Sequence, residues 1–391
     1  MSERVLIIGG GVGGLAAAIQ LRKAGVDAVA FEQQPEVGKL GSGFFLWSNA
    51  FRALQHVGVA ERAERAGVPV DLNEFRHSSG KVQAVWPVAE LGRRLGAPTV
   101  GMRRADLQGI LADALDPEGL VLGAKFSAFE QDADGVTARF ADGREERGDL
   151  LVGADGVNSA VRAQVLGDGK PRYAGYAGWR AILDYEADLG SSPEVRPGLF
   201  RLYGGRGSWF LYYHVAPGKV YWLALGKAPE NEQDPPGGAR ESLLERYGRF
   251  AEPVPTILRS TPQEEIWRAP MVDRDPSDRW GEGRVTLLGD AAHPMTPNGG
   301  RGAGQALEDA VVLGKVVPEH DGAAALRAYE ERRLERTRHI VLDARGIGAR
   351  AIWTNPVRCA IRDRIGTLIL KKTWARQERD LSYDFVEKGA T

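Results

Sequence analysis

Four apolar residues, 5–8, run into five glycines within positions 9–14, and an alanine-rich stretch follows. A short continuous apolar run is the pattern of a strand buried on both faces. Residues 4–8 are therefore read as a strand, 13–24 as a helix and 26–32 (VDAVAFE) as a second strand. Together they make one βαβ unit of about 30 residues. Apolar spacing in SNAFRALQHVG (48–58) and RADLQGILADAL (104–115) suits helices. NEFRHSSGKVQAVWP (73–87) reads as a hairpin turning on Ser78-Ser79-Gly80, and strands are expected near 120–126, 135–140 and 149–153.

From about Tyr173 to Arg268 the pattern changes to alternating positions rich in aromatics, as an antiparallel sheet requires. After Arg268 the α/β pattern returns. RVTLLGDAA reads as a strand ending in a glycine and an acid, GQALEDAVVLGKVV as a helix, and the remainder as Arg-rich helix. The expected fold class is α/β. A Rossmann-like domain (1–72, 97–172 and 271–340) is interrupted by a β-sheet substrate domain (73–96 and 173–270), and a helical segment follows (341–391).

Gly9-x-Gly11-x-x-Gly14 lies between the first strand and its helix. The first glycine permits the turn, the second lets a pyrophosphate approach the backbone, and the third lets the helix pack on the sheet. Gly13 belongs to the same cluster. The helix N-terminus adds free N–H groups and a positive dipole end. Glu32, at the end of the second strand, is placed to accept hydrogen bonds from ribose hydroxyls. An acid here argues against a 2′-phosphate at this site but does not separate FAD from NAD.

Two further stretches change the picture: LLVGADGVNSAVR (150–162) and GRVTLLGDAAHPMTPNGGRGAGQALEDAVVL (283–313). With the first motif, in this order, the chain resembles the group A (single-component) flavoprotein aromatic monooxygenases of the p-hydroxybenzoate hydroxylase fold. YAGYAGWRAI (173–182) resembles most the urate hydroxylase and zeaxanthin epoxidase branch. The resemblance implies an FAD-binding domain and an NAD(P)H-consuming enzyme. Such an enzyme hydroxylates or epoxidises an aromatic or polycyclic small molecule with dioxygen, through a C4a-hydroperoxyflavin. A reductase, cyclase or oxidase of the same fold is the alternative.

Residue by residue, the resemblance puts Asp290 on the ribityl chain. It puts Pro297, Gly300, Gly302, Ala303 and Gly304 over the isoalloxazine, and Arg104 rather than Arg103 against the cofactor. Asp155 and Gly156 belong to the fingerprint linked to the pyrophosphate. Arg301 stands where relatives often have Gln, and is expected to face solvent. The substrate pocket is expected among Phe45, Trp47, Arg201, Tyr203, Tyr212 and His214. Arg206, Tyr221, Tyr213 and Arg180 are candidates to hold the substrate or relay its proton, Arg206 and Tyr221 being the nearest counterparts of the urate hydroxylase pair.

Composition mainly excludes. The 51 basic and 52 acidic residues give a net charge of −1, so no global field attracts nucleic acid. The one cysteine, Cys359, excludes an internal disulfide and is read as structural. The six histidines are scattered without ligand spacing, so no metal site is expected. No apolar run approaches the ~20 residues of a membrane span, and no leader is visible, so a cytoplasmic monomer or homodimer is expected. The basic, partly amphipathic segment RHIVLDARGIGARAIWTNPVRCAIRDRIGTLILKKTWARQ is read as a helical cover over the domain interface. A membrane-surface role is the alternative.

Overall fold

The apolar run Arg4–Ile8 sits at the centre of a five-stranded parallel sheet in the computed structural model, which describes residues 3–38, 42–235 and 237–386. Its neighbours are Leu150–Gly153 and Asp27–Phe31, and the edges are Val285–Leu287 and Leu120–Val121. Both faces are covered, so Val5, Leu6, Ile7 and Ile8 are all buried. This is why the strand reads as unbroken apolar sequence rather than as an alternation. The helices Val12–Lys23 and Gly302–Val316 pack on one another against this sheet.

The strand expected near 120–126 divides in two. Gly123 takes φ +69°, which ends the parallel edge strand. Phe126–Gln131 then joins Val136–Phe140 and Glu145–Gly148 in a separate antiparallel sheet.

The aromatic region forms a seven-stranded sheet in the order Trp267–Asp273, Arg172–Asp184, Lys219–Lys227, Ser208–Ala216, Leu199–Gly204, Leu72–His77, Val82–Trp86. The hairpin Leu72–Trp86 thus pairs, in parallel, with the strand Leu199–Gly204. Both faces of this sheet are buried. One carries Trp179, Tyr203, Phe210, Tyr212 and Trp222 against the helices Ala239–Tyr247 and Val254–Ser260. The other carries Phe200, Leu202, Tyr213, Tyr221 and Leu223 and looks toward the parallel-sheet domain. One long helix, Ala323–Ala351, crosses position 340, and Pro356–Arg364 and Gly366–Leu381 follow. Cys359 is buried, its thiol donating to the Trp353 carbonyl at 3.1 Å.

Candidate functional site

The glycine turn is built by exclusion. Gly9 has φ +115°, and a Cβ there would lie 2.4 Å from the Ala154 carbonyl oxygen. A Cβ on Gly14 would fall 2.0 Å from the Gly9 oxygen, and one on Gly13 would meet Leu288 and Ala306. Gly11 differs: among the described residues, chain neighbours aside, nothing lies within 4 Å of its Cβ position. The space before the helix Val12–Lys23 is therefore kept open, as a pyrophosphate approaching its free amides requires. Glu32 fixes the turn, its Oε2 accepting from the Gly10 amide at 2.8 Å and its Oε1 from Gln34. The remaining carboxylate lone pairs are left for a ribose.

Asp155 is committed differently. It accepts from the Ser159 hydroxyl and from the amides of Ala160 and Val161, so it anchors the start of the helix Ala160–Leu166. Gly156 follows at φ +80°. Its role toward a cofactor is thus to hold the chain rather than to present a free carboxylate.

A cavity of about 470 Å3 lies between the two sheets. Arg104 and Asp290 line it, as does the loop from Pro297 to Ala303. No protein hydrogen bond reaches the Asp290 carboxylate among the described residues. Its side chain is open to the cavity, and the protein packed around it pushes its carboxyl up, with His293 and Arg104 opposing the shift. Arg104 also has a buried Nε without a partner, whereas Arg103 is held bidentately by Asp106 at 2.7 Å. Arg104 is thus the arginine left for a ligand. The amides of Gly302, Ala303 and Gly304 open the helix Gly302–Val316, whose first turn has no intrahelical acceptors for them. An open phosphate approach, an unpaired carboxylate, an arginine with a buried unpartnered Nε and a helix N-terminus lie along one crevice. This donor and acceptor set fits FAD.

Two features behind the crevice were missed in the sequence. The first is a buried ionic cluster on the helix Gly302–Val316. Gln305, Glu308 and Asp309, at i, i+3 and i+4, face Arg333 and Arg336 of the long helix. Asp309 also accepts from the Gly289 amide at 3.0 Å and from His293 at 2.6 Å, which ties down the turn presenting Asp290. Both acids are fully buried, and against desolvation Arg336 and Arg333 hold the Glu308 carboxyl, and His293 and Arg333 the Asp309 carboxyl, below the usual range. Three polar residues on one stripe of an otherwise apolar helix were the available signal.

The second is Arg301. It does not face solvent: it is 5% exposed, with both terminal nitrogens on Asp380 at 2.7 and 2.8 Å and a further bond to Gln377. Asp343 lies 3.6 Å away. The loop over the crevice is therefore clamped to the helices Ala323–Ala351 and Gly366–Leu381. Trp47 adds an indole hydrogen bond to the Gly299 carbonyl at 3.0 Å.

The sheet wall of the cavity is aromatic. Phe45 meets Trp47, Phe200 and Tyr213 edge-on, with centroids 4.8–5.3 Å apart. Tyr221 packs on Tyr213, and Arg180 lies over the Trp267 ring at 4.3 Å. Arg180, Tyr213 and Tyr221 all line the cavity; burial raises both tyrosine pKa values, and the Arg180 charge opposes this.

Arg201, Tyr203, Tyr212 and His214 are not part of this wall; they project from the opposite face of the sheet. Arg201 binds Glu74, the Glu194 carbonyl and the Tyr212 hydroxyl, and His214 bonds the Val195 carbonyl at 2.6 Å. Tyr203 reaches the Glu252 carbonyl. Strand alternation forces this: with Phe200, Leu202 and Tyr213 inward, their neighbours point outward. Arg206 lies outside the cavity too, exposed in the turn after Gly204 and bonded to the Thr354 carbonyl.

Residues 2–344 match the FAD binding domain family. The chain is 39% identical to an aurachin C monooxygenase/isomerase of Stigmatella aurantiaca, covering 97% of this chain and 98% of that protein. It is 34% identical to an FAD-dependent urate hydroxylase of Klebsiella pneumoniae, covering 88% of each. The fold superposes on Klebsiella pneumoniae HpxO complexed with FAD and uric acid with a TM-score of 0.89 at 30% identity, covering 97% of this chain and 96% of that one. The chain belongs to the group A flavoprotein aromatic monooxygenases, enzymes that depend on FAD.

Proposed function

We propose that this chain uses NAD(P)H and dioxygen to hydroxylate or epoxidise an aromatic heterocycle held flat against the Phe45–Phe200–Tyr213 wall. The observation that carries the reading is the pairing of Arg180 with Tyr221. Arg180 is the one charged side chain that the central strands between 172 and 227 give to the cavity, among the described residues, and it stands beside a buried phenol. Urate, a fused heterocycle acted on by one relative, is in keeping with such a pocket.

Bound FAD supplies the redox chemistry, taking hydride from NAD(P)H and activating dioxygen. The chain's own residues supply orientation and charge. Asp290 and Arg104 hold the cofactor's sugar and ring end. The amides at 302–304, with the helix dipole, stabilise negative charge on the reduced ring. Arg180 favours the anionic form of a substrate enol, phenol or ring amide, which is the electron-rich form. Tyr221, whose pKa burial raises, remains a proton donor at neutral pH and hydrogen-bonds the substrate oxygen. The aromatic wall and the helix Gly366–Leu381 exclude water from the reacting centre.

The test is a panel of aromatic heterocycles scored for accelerated NAD(P)H consumption under isotope-labelled dioxygen, with mass analysis of the product. One labelled oxygen atom in the product is expected. Turnover without label overturns the reading in favour of a reductase, cyclase or oxidase.

A further inference from the structure

Nine large apolar side chains are strongly exposed among the described residues, and six of them lie together. Val357, Ile361, Ile365 and Leu368 are 44–65% exposed along the consecutive helices Pro356–Arg364 and Gly366–Leu381. Ile365 lies at the bend between the two helices, but the Ile365 amide donates to the Ile361 carbonyl and the Ile369 amide to the Ile365 carbonyl, both at 3.0 Å, so the helical turn carries through and the spacing of four, four and three residues keeps the row on one side. Val82 and Val85 of the hairpin are 44% and 46% exposed, and the hairpin is bonded to the second helix through Thr367 and the Gln83 carbonyl at 2.9 Å. A contiguous patch of this kind is uncommon on a free protein surface and marks something that covers it.

The charges around the patch say what the cover is. The segment 356–381 holds three acids, and each is already engaged: Asp363 with Arg362 and His77, Glu378 with Arg94, and Asp380 with Arg301. Arg358, Arg364, Lys371 and Lys372 are exposed and flank the apolar row, with no ion pair to any described residue. A second copy of the same face would set these cations against one another, which disfavours self-association. An anionic surface with an apolar interior satisfies both the cations and the aliphatic row. The face also borders the cavity mouth, since Gln83, Gly366, Ile369 and Leu370 line the cavity.

We infer that the face formed by Val82, Val85, Val357, Ile361, Ile365 and Leu368 docks on the surface of an anionic lipid bilayer. No helix among the described residues is long and apolar enough to cross one. The chain therefore lies on the membrane, its aliphatic row in the headgroup boundary and its four cations on the phosphates. This inference goes beyond the proposed chemistry and does not depend on it.

The full-length, FAD-loaded protein is sedimented with vesicles of phosphatidylcholine alone or of phosphatidylcholine with phosphatidylglycerol. At least about tenfold tighter binding to the anionic vesicles is expected, weakening as salt is raised. Ile361→Ser with Leu368→Ser should reduce vesicle binding about tenfold or more, and Lys371→Gln with Lys372→Gln should remove most of the preference for anionic lipid. Leu122→Ser, an exposed apolar site elsewhere, should change nothing. All these positions are exposed, and retained flavin absorbance shows that each variant folds. Absence of vesicle binding, equal binding to both vesicle types, or binding indifferent to the serine variants overturns the inference. So does a solution dimer that these variants dissociate, which would assign the patch to a second copy.

Discussion

Asp290→Asn should separate cofactor affinity from protein stability. In the structure the Asp290 carboxylate receives no hydrogen bond from the described protein, so the substitution breaks no hydrogen bond of the fold itself. On the proposed reading, what it removes is a charged acceptor for hydroxyls of the ribityl chain. A hydrogen bond to a charged group is worth about 1.5–3 kcal/mol. FAD affinity should therefore fall about ten- to hundredfold. The apoprotein should respond in the opposite sense. Burial raises the carboxyl pKa in the folded state, with the His293 and Arg104 charges only partly opposing this. The folded chain thus holds this proton more tightly than the unfolded chain, and ionisation costs stability. That penalty is absent below the unfolded pKa and complete above the folded one. Asparagine carries no such penalty. The variant apoprotein should match the wild type in acid and overtake it as pH rises through the carboxylate range. Titration of apoprotein with FAD, followed by flavin fluorescence, gives the first quantity; urea unfolding of apoprotein against pH gives the second. Unchanged FAD affinity, or a variant apoprotein less stable than wild type at neutral pH, refutes the reasoning.

Gly11 and Gly14 should behave differently although both belong to one motif. Gly11→Ala should leave urea stability of the apoprotein nearly unchanged, because its Cβ meets nothing, yet weaken FAD binding; Gly14→Ala drives a Cβ to 2.0 Å from the Gly9 oxygen and should lower stability itself. Arg333→Met removes one of the cations on each of two buried carboxylates, leaving Glu308 to Arg336 and Asp309 to His293, and should cost about 3 kcal/mol in urea unfolding, with FAD partly restoring the transition. Tyr221→Phe should lower kcat/KM for a substrate found in the panel by about tenfold or more while FAD content stays at wild type; an unchanged value would remove Tyr221 from the proton step.

The parts of this site that were legible in the sequence are those where backbone chemistry restricts the residue type. Gly9, with φ +115°, and Gly14, whose Cβ would fall 2.0 Å from the Gly9 oxygen, admit no side chain, so the glycine turn could be placed by pattern. The substrate sheet could not be read the same way. Alternation of period two divides Arg201, Tyr203 and Tyr212 from Phe200, Leu202 and Tyr213, but it does not say which set faces the cavity. Usually the apolar set identifies the core. Here both faces are buried, one under the helices Ala239–Tyr247 and Val254–Ser260 and the other over the cavity. Both carry aromatics, and the cue disappears. Arg301 was misread for a different reason: its partner Asp380 lies 79 residues away in sequence. A guanidinium between glycines looks solvent-bound until the helix that covers it is known.

The arrangement of charge explains why Asp290 can be left without a hydrogen bond from the described protein. A free carboxylate beside a crevice is stable in place only if the turn that carries it cannot relax toward another donor. Gly289 is fixed through its amide to Asp309, and Asp309 is fixed in turn by His293 and Arg333. Glu308 and Arg336 extend the same cluster to the Asp380 carbonyl, next to the clamp on Arg301. One buried ionic network therefore holds both the turn that carries Asp290 and the loop that carries Arg301, the two elements proposed to meet the cofactor. In net folding energy, buried ion pairs often only break even against apolar packing. What the network adds is geometry. It sets the position of two groups that approach one cofactor from elements far apart in the chain, and this is the reason to expect Arg333→Met to disturb FAD binding although Arg333 touches neither group's ligand.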